Sequence, residues 1–159
     1  MKSKQALDPT RWKAMAKLLL PEVYAALVAD EQWNRGCSES EMQFFFLLLP
    51  LVRNAHRNNE RDLLLRAHAF ADWCTRQPEQ EIWNPAGVAF YEHLFEDLPE
   101  ATVAPWISRR IFADIKSLID FRLSAKRSAE VKKAYEKRKA AEEQNYPHVI
   151  AEAERQAAQ

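Results

Sequence analysis

The chain has 159 residues, of which two are glycine and two cysteine, and its 23 basic side chains balance its 23 acidic ones. Two glycines cannot build the glycine-rich loops that cradle nucleotide phosphates, and they serve poorly the tight turns of sheet-rich folds. Cys37 and Cys74 form neither a C-x-x-C pair nor a disulfide framework, and no apolar run approaches the ~20 residues of a membrane helix. These features indicate a cytoplasmic protein without a membrane segment.

The first half of the chain predicts helices that are separated by capping and breaking residues. Asp8-Pro9 is typical of a helix start, and Pro21 restarts the helix because the residue before a proline is pushed out of the α region. The segment 38–41 is a capping box, a serine with a glutamate three positions later. The helix that follows contains Pro50, which predicts either a kink or two short helices. Its stretch 44–49 is apolar on all sides, as expected for a helix central to the core.

The second half predicts three more core helices and a long extension. An apolar stripe with a helical period runs through 63–74, and Asn84-Pro85 starts another helix that ends before Pro99. Pro105 is expected to open the last core helix. Beyond Leu123 the large apolar residues become rare, yet strong helix formers continue, so we expect that helix either to extend as a solvated rod or to fray.

The pattern therefore predicts an all-α fold with one domain. We expect a helical bundle or a stack of αα-hairpins with about six helices and a long C-terminal helix. Residues 1–123 form the helical domain in this interpretation, and residues 124–159 form a basic helical extension and tail.

The zero net charge hides an uneven distribution. Residues 21–121 carry a net charge of −7, and residues 122–139 carry +6. A basic helix of this kind can lie along nucleic acid, through the side chains of Lys132, Lys133, Lys137 and Arg138. The alternative is a solvated helix whose charges keep it soluble, which we favour because few aromatic residues accompany the charges.

A search for catalytic and metal-binding patterns yields only weak candidates. His68 and Asp72 are four residues apart, and His93 and Glu96 share a helix face, so two helices could in principle supply a metal site. The chain lacks the Glu-x-x-His and His-Glu-x-x-His patterns, and no base is paired with a cysteine nucleophile. We expect no enzymatic activity and no cofactor, and ordinary pairing for these side chains.

Four residues are candidates for binding. Trp33 and Trp83 lie outside the apolar stripes, which suits either partner contact or the anchoring of a loop. The adjacent Arg109 and Arg110 could clamp a phosphate, although a dibasic pair on a helix usually faces solvent.

The segment 84–94 resembles part of a bacterial helical family of unknown function. The matching positions are Asn84, Val88, Phe90, Glu92 and Leu94. The similarity in placement extends over residues 20–120 and leaves the helix beyond Leu123 as an addition. The resemblance implies a small α-helical domain, of a family sometimes associated with toxin-immunity gene sets, with no active site to transfer.

The leading hypothesis is a non-enzymatic protein-interaction domain of immunity or adaptor type. Its acidic body suits a basic protein partner through complementary charge. The alternatives are a nucleic-acid-associated protein that uses the basic helix 122–139, and a helical metalloprotein around His68, Asp72, His93 and Glu96.

Overall fold

The computed structural model describes residues 8–33, 40–137 and 146–159, and within these ranges the chain is helical without a strand. The prediction of an all-α fold is confirmed. No helix in these ranges is both long enough and apolar enough to cross a membrane. The helices are α1 (Trp12–Leu19), α2 (Pro21–Trp33), α3 (Glu41–Asn58), α4 (Arg61–Thr75), α5 (Gln80–Pro85), α6 (Glu92–Leu94), α7 (Glu100–Val103), α8 (Arg109–Arg122), α9 (Ala125–Lys137) and α10 (Tyr146–Ala157). A π-helical turn, Ala86–Tyr91, joins α5 to α6, and a 3₁₀ turn, Ala104–Trp106, follows α7.

Helix α3 runs unbroken through Pro50, so it is one helix and not two. Ser40 caps it, because its hydroxyl accepts a hydrogen bond from the backbone N–H of Gln43 at 3.0 Å. The capping serine predicted at Ser38 lies outside the described residues. The helix ends at Asn59, whose φ of 54° is the left-handed conformation that terminates many helices.

The last core helix begins later than Pro105. This proline lies in the 3₁₀ turn, and α8 starts only after Ser108, whose hydroxyl accepts from the N–H of Ile111 at 3.2 Å. The hydroxyl of a capping serine accepts a hydrogen bond from a backbone N–H that has no partner within the helix, whereas a proline side chain has no acceptor for it. The sequence-based start was therefore wrong by several residues.

The chain also breaks where a continuous helix was expected. Leu123 is extended, with ψ of 156°, and the hydroxyl of Ser124 accepts from the N–H of Arg127 to start α9. Helix α9 packs against α7 and α8 with Val131 buried, and α10 packs against α1 and α4. The long C-terminal helix is not confirmed.

Aromatic rings form the centre of the core. The centroids of Phe44 and Phe70 are 5.2 Å apart, and Phe45 lies 5.6 Å from Phe70 and 5.4 Å from Phe90. These separations are those of favourable aromatic pairs, so α3, α4 and the π-helical turn are held together by ring contacts. The sequence predicts that α3 is buried on all sides, but Phe46 is half exposed, so one side of the helix faces solvent.

Candidate functional site

A groove of about 480 Å³ separates the segment of α5 and the π-helical turn from helix α8. Its size is in the range of protein binding sites. The end of α4 closes one part of it. The residues that line it are Thr75, Gln77, Trp83, Asn84, Gly87, Val88, Ile111, Asp114, Ile115, Ser117 and Leu118.

Gly87 lies on the wall of this groove, inside a helical segment that does not require glycine. Its φ is not in the left-handed region, and a Cβ at this position would meet the Leu118 Cδ1 atom at 3.4 Å, an ordinary contact. A glycine inside a helix costs about 0.5–1 kcal/mol relative to alanine. Neither the backbone nor close packing explains that cost, but the missing side chain widens the groove.

The π-helical turn changes the local geometry beside Gly87. The backbone N–H of Glu92 donates to the carbonyl of Gly87, five residues earlier, where an α-helix would use the residue four earlier. Such turns are rare and occur frequently at functional sites. The turn places Gly87 and Val88 opposite α8, and Trp83, four residues before Gly87, is 42% exposed on the same side.

A charged network borders the groove through two of its lining residues, Thr75 and Asp114. Asp72 is buried, and its carboxylate accepts from Arg76 Nε at 2.7 Å and from Arg110 Nη2 at 3.3 Å. Arg110 Nη2 also donates to Thr75 Oγ1 at 2.9 Å, and Arg110 Nη1 lies 3.7 Å from Asp114 Oδ2. Arg110 therefore holds the ends of α4 and α8 together. These contacts engage guanidinium donors of Arg110 within the chain, so fewer of its N–H groups remain to bind a phosphate.

The other binding candidates lie elsewhere. Arg109 is exposed at the first position of α8 and does not line the groove. Trp33 is the last residue of α2, and its side chain is outside the described part of the structure. Of the residues proposed from the sequence, Trp83 lines the groove, and Arg110 lies outside the lining but contacts two of its residues, Thr75 and Asp114.

Most of the described basic side chains of 122–139 contact the acidic body. Arg122 pairs with Glu92 at 3.0 Å and with Glu96 at 3.2 Å. Arg127 pairs with Glu100 and also donates to the carbonyls of residues 95 and 98.

Two further basic candidates differ in their surroundings. Lys132 Nζ donates to Asp120 at 2.6 Å, whereas Lys133 is exposed. The side chain of Lys137 and the whole of Arg138 lie outside the described residues. Three of the five described basic side chains in 122–139 thus have acidic partners within the fold.

The four candidate metal ligands do not come together as one site in the described residues. His68 is fully buried, and its Nε2 lies 3.1 Å from the Nε2 of His56. His93 Nδ1 lies 3.1 Å from Glu96, and Asp72 is held by its two arginines. Among the residues described, no three or more potential ligands cluster as a metal would require.

The burial of two features was not predicted from the sequence: the pair of His56 and His68, and the carboxyl of Glu41. Burial lowers the pKa of His56 to about 4, and burial together with His56 lowers the pKa of His68 well below its usual value. Burial raises the pKa of Glu41 to about 8, although a contact with the Cys74 thiol opposes the rise. Neither carboxyl oxygen of Glu41 has a hydrogen-bond partner among the described residues. These groups affect stability and lie away from the groove.

Among the groove residues that sequence reasoning missed are Gly87, Asp114 and Leu118. Gly87 carried a usable signal, because an isolated glycine inside a helical pattern usually has a packing or functional reason. Asp114 and Leu118 carried none, since their role depends on how α8 lies against a segment some thirty residues earlier. Comparison of the chain with protein-family models, curated proteins and solved structures finds no match.

Proposed function

We propose that this chain is a non-enzymatic protein-interaction domain of adaptor or immunity type, acting in a bacterial cytoplasm, and that its partner binds in the groove between α5 and α8. The observation that carries the proposal is Gly87, a destabilising residue whose one local consequence is a wider groove beside the exposed Trp83. In this proposal the helices pack as a bundle or a stack of αα-hairpins, with the groove on its surface.

The chemistry of the lining supports a protein partner. Trp83 is a large, rigid ring at the groove edge, and tryptophan is among the residues that contribute most at protein interfaces. Apolar side chains of α8, Ile111 and Ile115, form part of the wall, and residues with amide and hydroxyl groups also line the groove. An apolar centre with a polar surround is the usual anatomy of an interface.

The nucleic-acid alternative is weaker because three of the five described basic side chains in 122–139 already have acidic partners. Arg122, Arg127 and Lys132 are paired with acidic groups, and binding a phosphate backbone would require these pairs to exchange. Duplex binding measured across a salt series tests this alternative, which requires an affinity that falls steeply with salt.

Affinity capture with matched variants tests the proposed function. The immobilised wild-type protein and its Trp83→Ala and Phe46→Ala variants are exposed to extract of native cells. Phe46 is an aromatic residue on α3 that is 50% exposed and does not line the groove, so its variant controls for the loss of an exposed ring. We expect one protein to be retained by the wild type and by Phe46→Ala and to be lost from Trp83→Ala. Equal retention by all three proteins, or loss only from Phe46→Ala, contradicts the proposal.

A further inference from the structure

The groove wall contains a charged residue, the aspartate Asp114. Asp114 carries the charge, and the other ten lining residues are neutral. Its 3.7 Å separation from Arg110 exceeds hydrogen-bond length, and its side chain is 68% exposed. The carboxylate therefore keeps its capacity to accept hydrogen bonds from a group that enters the groove.

Trp83, the aromatic residue of the groove, differs from two other tryptophans of the fold, each of which has an arginine over its ring. Arg11 lies over Trp73 at 5.5 Å, and Arg61 lies over Trp106 at 5.6 Å. Within the described ranges no lysine or arginine stands over Trp83 in this way. A cation within about 6 Å of a tryptophan ring is attracted by the electrons of its face. The Trp83 ring thus offers the same interaction to a cation from outside.

We propose that the groove holds a lysine or arginine side chain of the partner protein, with its cation attracted by the Trp83 ring and the Asp114 carboxylate and its aliphatic stem against Ile115 and Leu118. The inference rests on the proposed function and narrows it to one chemistry of partner. The exposed Asp114 carboxylate supplies the charge of the groove lining, which favours a cationic group over a neutral or acidic one. Long basic side chains bury their stems on apolar surface in this manner.

A peptide titration tests the inference without the natural partner. The probe is a six-residue peptide of alternating arginine and glycine, compared with peptides in which norleucine or glutamate replaces arginine. The readout is the indole N–H signal of Trp83 in the NMR spectrum of tryptophan-labelled protein, assigned by its absence in Trp83→Phe. We expect this signal to shift in a saturable way with the arginine peptide alone.

A matched pair of variants distinguishes specific binding in the groove from general attraction of the peptide to acidic residues. Asp114 and Asp62 are both exposed and both lie four residues from an arginine that pairs with them. Asp114→Asn should lower the affinity for the arginine peptide about five-fold, the effect of losing one exposed charge pair. Asp62→Asn should leave this affinity unchanged. Equal weakening by both variants, or a Trp83 signal that does not move, overturns the inference.

The capture and the titration fail in different ways. If Trp83→Ala loses the partner but the arginine peptide does not bind, the groove binds a partner of other chemistry and only this inference is wrong. If the peptide binds at Trp83 but no variant of the groove loses a partner, the proposed function is wrong while the cation site remains.

Discussion

The buried carboxyl of Glu41 should make the protein less stable as the pH rises through neutrality, and Glu41→Gln should remove that effect. The side chain lies at the first position of α3, is 4% exposed, and has no hydrogen-bond partner among the described residues for either oxygen. A buried ionised carboxylate without partners is costly, so the group remains protonated in the folded state.

The magnitude follows from the two pKa values. Burial raises the pKa of Glu41 from 4.5 to about 8, so folding at pH 7 takes up a proton that the unfolded chain does not carry. Because the folded value lies above the unfolded one, stability is complete below pH 4.5 and is lost as the pH rises towards 8. At pH 7 the loss is about 3 kcal/mol. Glutamine has a similar shape and does not titrate, so Glu41→Gln should be more stable than wild type by that amount at pH 7 and equal to it at pH 4.5.

Urea unfolding at pH 4.5, 6 and 7.5 measures this difference, with circular dichroism as the readout. Glu81→Gln is the control, since Glu81 is exposed and its replacement should change stability by less than about 0.5 kcal/mol at each pH. A constant difference between Glu41→Gln and wild type across the three pH values would refute the reasoning, because a pH-independent effect cannot come from titration of the carboxyl.

Three further predictions concern stability. The buried pair His56 and His68 is neutral in the folded state, so its contribution to stability is complete above the ordinary histidine pKa of 6.5 and is lost as the pH falls below it. For His56 alone, the free energy of unfolding should fall by about 2 kcal/mol between pH 7 and 5. The difference in stability between wild type and His56→Phe at each pH measures this fall, because the titration of Glu41 is common to both proteins and cancels. Arg127→Ala should destabilise by roughly 2 kcal/mol in urea unfolding, since it leaves Glu100 and two carbonyls without their donor, whereas exposed Lys126→Ala should stay within about 0.5 kcal/mol. Gly87→Ala should raise stability by about 0.5–1 kcal/mol and shift the melting temperature upwards; a destabilised variant would mean that the fold itself requires glycine there.

Features set by neighbouring residues could be predicted from the sequence. The apolar stripes of α1, α4 and α8 and the restart of the helix at Pro21 depend on local spacing and local backbone restrictions, and the structure has them. The break at Leu123 depends on more distant contacts. Its surroundings favour helix, but Arg127 reaches Glu100 and Val131 is buried, so tertiary packing outweighs local propensity.

The candidate site could be predicted only in part. Trp83 stood out because it lies off the apolar stripes, but the groove that it lines forms only when α8 packs beside the π-helical turn. Arg110 stood out as one of a basic pair, and the structure places it beside the groove and not in its lining. The resemblance of 84–94 to a bacterial helical family stays a prediction. The pairing of Arg122 and Lys132 could not be predicted, since a run of charges in sequence does not reveal which acidic groups will meet it in the fold.

The most direct test of the groove as the partner site is photo-crosslinking in living cells. A photoreactive phenylalanine replaces Ser117, an exposed residue of the groove wall on α8, or Phe46, the exposed aromatic residue outside the groove. The account predicts one discrete adduct from position 117, absent from position 46, that disappears when Gly87 is also changed to leucine and the groove is filled. An adduct from position 46 alone, or one from position 117 that persists with the filled groove, would contradict it.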